Sequence, residues 1–140
     1  MGIEGQFKHG GALLSYKIVG HFDGTELVRM TRGLWNQGIA QPQLKCFLGD
    51  LTQVDSIGVT PEQLREIAEL GLRAAEEAGG YRVALVSHHE VVSAVGHMYR
   101  VYMDSEFCET RVFKDKLLAI AWLSEVLPDS TLEVHEVIAD

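Results

Sequence analysis

A chain of 140 residues, 46% hydrophobic and 23% charged, has the size and make-up of one globular domain that buries its own core without disulfide or metal staples. Its net charge of −8, with lysines and arginines scattered along the chain, sets it against phosphate backbones and anionic lipid surfaces, so nucleic acid is not an expected partner. No apolar run approaches the ~18 residues of a membrane span, and the first residues lack the basic-then-apolar pattern of a signal peptide, so the expected location is cytoplasmic.

The segment Ile3–Lys8 reads as a strand paired, through Gly10-Gly11, with the apolar and β-branched run Gly11–Gly20. Asp23-Gly24-Thr25 then opens a helix to about Gln37, with Leu27, Met30, Leu34 and Trp35 on one broad face and Gly38 as its left-handed stop. Leu44–Leu51 (LKCFLGDL) reads as a short buried strand, followed by a loop over Gln53–Val59. In the next helix Thr60 is the cap, Pro61 takes the first helical position and Gln63 closes a capping box. Leu64, Ile67, Ala68, Gly71, Ala75 and Ala78 follow at helical spacing, a small-residue face for close packing on a sheet, and Gly79-Gly80 ends the run.

Tyr81–Ser87 is a central strand by its short apolar run. Ser87-His88-His89-Glu90 has the form of a second capping box, with Ser87 as cap of a helix to about Met103. A strand over Glu109–Phe113 leads through Lys114-Asp115 into a last helix with Leu118, Ala121 and Trp122 inward, and Thr131–Ile138 reads as a weak strand or strap. Pro42, Pro61 and Pro128 all fall at element edges. This alternation predicts a single α/β domain over residues 1–140, a mixed, mostly parallel sheet with right-handed crossovers.

Ligands of such sheets bind at the carboxyl ends of the strands. The candidate binding rim is therefore Asp50, Asp55, Ser87, His88 and His89. None of these defines an enzyme. His88, His89, Glu90 and His97 are ligand types suited to zinc, but the spacing matches no helical zinc motif, and adjacent side chains on a helix diverge by about 100°. Ser87 beside His88 lacks a nucleophile elbow, and Asp50, Asp55 and Glu90 are types that turns and caps use. There is no phosphate-binding glycine loop, and Cys46 and Cys108, far apart in sequence, read as reduced thiols. No catalytic residue, metal or cofactor is assigned.

The third helix carries more apolar residues than one buried stripe needs: Val92, Tyr99 and Met103 beside Val91, Val95, Met98 and Tyr102. Such a helix is either covered on both sides, part of a homodimer contact through Val92, Met98, Tyr99 and Tyr102, or the wall of an apolar ligand pocket.

Arg111-Val112-Phe113-Lys114-Asp115, running on to Ala121-Trp122-Leu123, resembles the ending of the SpoIIAA-like family of small bacterial proteins, relatives of the STAS (sulfate transporter and anti-sigma-factor antagonist) domains. The strand–helix order over about residues 11–125 agrees with that fold. Val54-Asp55-Ser56-Ile57-Gly58-Val59 is similar to the segment of anti-sigma antagonists that holds a phosphorylated serine, although Ile57 replaces a hydroxyl residue and the helix cap, Thr60, comes later. The resemblance implies a regulatory, non-enzymatic module with Ser56 as phosphoacceptor. With the third helix, it leaves three expected roles: a module binding a protein partner or a small apolar ligand, a small enzyme using Asp50, Ser56, His88 and His89, and a self-associating protein.

Overall fold

The computed structural model describes residues 2–36 and 43–127. The chain starts with β1 (Gly2–Lys8), reverses through a 3-10 turn at His9–Gly11, and returns antiparallel as β2 (Leu13–Asp23). Gly10 and Gly11 make this reversal with positive φ, the backbone region that glycine enters without strain. Then follow α1 (Gly24–Asn36), β3 (Cys46–Gly58), α2 (Pro61–Ala78), β4 (Tyr81–Val86), α3 (Glu90–Met103), β5 (Cys108–Phe113) and α4 (Lys116–Ser124). The five strands lie in sequence order, β1-β2-β3-β4-β5, with β2 to β5 parallel.

Right-handed crossovers between strands in sequence order place all the connecting helices on one face. Accordingly α1, α2 and α3 cover one face, and α4, which follows the last strand, covers the other. The strand period of two divides the side chains between them. Leu14, Ile18, Phe47, Val83 and Leu85 join Ala68, Ala75 and Val92 beneath the three helices. Leu13, Cys46, Leu48, Ala84 and Val86 join Ile120, Trp122 and Leu123 beneath α4.

Several boundaries differ from the sequence expectation. The strand expected over Leu44–Leu51 runs to Gly58, so the expected loop over residues 53–59 is mostly strand. Its polar second half pairs with Val19–Asp23 of β2, beyond the end of β4, and together the two strands form a two-stranded arm. Register shifts at Lys17/Val19 and Gly20/His21 bend the arm, and Gly20 takes a φ of 87° there.

Thr60, Pro61 and Gln63 form the expected capping box, and Gly79 is the left-handed cap. At α3 the cap is His89 rather than Ser87, because Ser87 Oγ accepts from the His89 amide instead of an amide of the helix. In α4, Asp115 caps as expected, but the inward residues are Ala119, Ile120, Trp122 and Leu123; Leu118 is 61% exposed and Ala121 faces solvent. The expected stop at Gly38, the strap over residues 131–138, Pro42 and Pro128 lie outside the described residues.

Candidate functional site

The expected rim residues do not converge. Asp50 stands level with Val86 at the end of β4, but on the α4 face, where its carboxylate meets Lys116 Nζ at 3.4 Å and accepts from the Thr52 hydroxyl and amide at 2.6 and 3.0 Å. Burial alone would raise its pKa; the Thr52 bonds and the Lys116 charge outweigh burial and hold it below the ordinary value. Asp55 lies on the arm. Ser87 is buried at the β4–α3 turn, His88 is exposed, and His89 Nδ1 accepts from the Val91 amide. Apart from the turn bonds between Ser87 and His89, no hydrogen bond or ion pair among the described residues joins these groups into one site, and among the described residues no three His, Cys, Asp or Glu side chains gather as metal ligands. The cysteines are free and buried, and burial pushes the Cys46 thiol up to about 12 and Cys108 to about 11.

Ser56 lies in the β3 arm, ahead of the α2 cap at Thr60, so it is not at a helix N-terminus. Its hydroxyl is 2.8 Å from Nδ1 of His21, across the strand pair, and 3.1 Å from the Asp55 carboxylate. No local pattern marks His21 as its neighbour, because that pairing depends on the register shift in β2.

A cavity of about 410 Å³ lies between the sheet and the three helices. Its floor is Leu14, Tyr16, Ile18, Phe47, Val83 and Leu85, and its roof comes from Leu27 and Trp35 of α1, Leu64 and Ile67 of α2, and Val92, Val95 and Tyr99 of α3. None of its lining side chains is charged; the polar ones are Tyr16, Thr31, Trp35, Tyr81 and Tyr99. Phe7 of β1 and Leu34 of α1, 51% and 38% exposed, stand at its rim on the β1 side of the sheet.

Small residues make the room. Tyr16 pairs in register with Gly49, and a Cβ at Gly49 would lie 2.6 Å from the Tyr16 hydroxyl. Only glycine there lets the phenol lie across β3. Tyr81 packs edge-on to Phe47, with ring centroids 4.7 Å apart, and Phe47 does the same to Trp35 at 5.7 Å.

The cavity also settles which side of α3 is which. Val92 is 2% exposed and, with Val95, Gly96 and Tyr99, lines the cavity; Tyr102 packs against the same core. These residues are therefore not on an outer contact surface. The exposed apolar residues are Val91, Met98 and Val101, at 57%, 43% and 75%. Of the four expected interface residues, only Met98 faces out.

A five-stranded mixed sheet with three helices on one face and one on the other is the SpoIIAA-like fold, the class of the family that the closing segment resembles. The chain is similar to a crystal structure of a DUF3478-family protein with a SpoIIAA-like fold from Shewanella loihica, at a TM-score of 0.55 and 24% identity, over 87% of this chain and 92% of that one. No protein-family model matches the chain. No curated protein matches it either. No helix among the described residues is long and apolar enough to cross a membrane.

Proposed function

We propose that the protein is a binding module that takes a small apolar ligand into the cavity between the sheet and α1–α3. The observation that carries this is a lining without a single charged side chain around about 410 Å³, within the size range of small-molecule sites. Left empty, such an apolar lining forfeits packing contacts. Water gains little there, since it needs two to four polar partners. An apolar occupant restores the missing contacts.

The neutral probe N-phenyl-1-naphthylamine, which brightens in apolar surroundings, tests this. We expect saturable binding at one probe per chain. Val95→Phe, which narrows the cavity from its roof, should weaken binding at least tenfold while leaving the thermal melt cooperative. Non-saturating fluorescence, or equal binding by the variant, would contradict the proposal.

A second reading has its own observation. Val91, Ala94, Met98 and Val101 lie at spacings of three, four and three residues along the outer side of α3, and all four are exposed. That spacing is an unbroken helical stripe of the kind that pairs helices. It supports self-association through the outer side of α3, compatible with a ligand held beneath the same helix.

A further inference from the structure

Three tyrosines reach the cavity from three elements: Tyr16 from β2, Tyr81 from β4 and Tyr99 from α3. The Tyr81 hydroxyl donates to the Gly71 carbonyl of α2, so its proton is committed. The hydroxyls of Tyr16 and Tyr99 have no hydrogen-bond partner among the described residues. Each stands close to glycine: a Cβ would lie 2.6 Å from the Tyr16 hydroxyl at Gly49, and 3.4 Å from the Tyr99 hydroxyl at Gly71. Donors left open on the wall of a concave, apolar site mark where a ligand's polar atoms go.

Charge decides the class of ligand. No lysine, arginine or histidine lines the cavity. Burial raises the Tyr16 hydroxyl to about 12 and, with neighbouring Tyr81 and Tyr16, lifts Tyr99 well above its ordinary value, so both are neutral donors at physiological pH. A carboxylate or phosphate entering the cavity would leave water without meeting a cation, a loss that two neutral phenols do not recover. A ketone, ester or quinone oxygen costs far less to desolvate and lacks only donors, which the two phenols supply.

Resting on the cavity as a ligand site, we propose that the ligand is an uncharged apolar molecule bearing a carbonyl oxygen that accepts from Tyr16 and Tyr99. Three probes with the same ring system separate the possibilities: naphthalene, 2-acetylnaphthalene and, at pH 8, 2-naphthoate, each competing against N-phenyl-1-naphthylamine on the full chain. We expect 2-acetylnaphthalene to bind roughly tenfold tighter than naphthalene, the effect of one to two hydrogen bonds. In the Tyr16→Phe/Tyr99→Phe variant that preference should vanish while naphthalene affinity stays unchanged. Retained naphthalene binding also reports that the variant is folded; if it is lost, the two single variants are compared in the same way. Naphthoate binding as tightly as the ketone would overturn the proposal, as would a ketone preference that survives both substitutions. Naphthalene binding with no ketone preference overturns it and leaves the cavity reading standing, whereas no binding of any probe, N-phenyl-1-naphthylamine included, removes both.

Discussion

Asp50 shows how a residue picked out by its place in the sequence acquires a different role in the fold. It was expected at a strand end as part of a binding rim, and it does stand level with the end of β4. The alternation of β3, however, turns its carboxylate to the α4 face, against Lys116 and Thr52. Its pKa lies below the ordinary carboxylate value in the folded chain. Its contribution to stability is therefore full above that ordinary value and is lost as pH falls through the lowered folded one. Asp50→Asn should destabilise the protein near neutral pH by urea denaturation, and the gap to wild type should narrow as the pH is lowered below the ordinary carboxylate value. A gap that stays constant with pH would show that the carboxylate's charge does nothing here. The tyrosines illustrate the opposite case. Tyr16 and Tyr81 sit in apolar strands and Tyr99 reads as a contact residue of the third helix, because the sequence does not show that all three line one cavity.

Among the elements, the legible parts were those whose signal is local. Thr60-Pro61-Gln63 caps α2 through contacts within one turn, so it could be read directly, as could Asp115 on α4. Cross-strand effects could not. The β3 arm is strand only because β2 pairs with it beyond the sheet, and its residues Asp55, Ser56 and Gly58 carry turn chemistry on their own. Ser87 has the form of a cap, but its bonds to His89 precede the helix by one step. On α3, Val92, Gly96, Tyr99 and Met103 form the inward stripe, whereas Val91, Met98 and Val101 are on the opposite side. If that outer side joins two copies, the protein should sediment as a dimer at tens of micromolar, and Val101→Glu should return it to a monomer that still melts cooperatively, since Val101 is 75% exposed in the single chain. A monomer at that concentration, before any substitution, would contradict self-association through α3.

For the molecule as a whole, the sequence led to the α/β class, the alternation of elements and the SpoIIAA-like fold. The cavity was legible only as one reading of α3, the wall of an apolar pocket. The remaining walls come from β1 to β4, α1 and α2, whose apolar residues at core spacing give no hint that they enclose a space rather than fill one. Volume is a property of how elements stand apart, which no local pattern in the sequence reports. The two faces of the sheet make the ligand reading directly testable. In methyl-resolved NMR of the isoleucine, leucine and valine side chains, adding N-phenyl-1-naphthylamine should move Leu14, Ile18, Leu64, Val83, Leu85 and Val92, which line the cavity. Leu13, Leu48, Val86, Ile120 and Leu123, packed on the α4 face, should hold still. Shifts confined to Val91 and Val101 on the outer side of α3, or to Leu117 and Leu118 on α4, would place the probe on the surface and contradict a ligand site inside the fold.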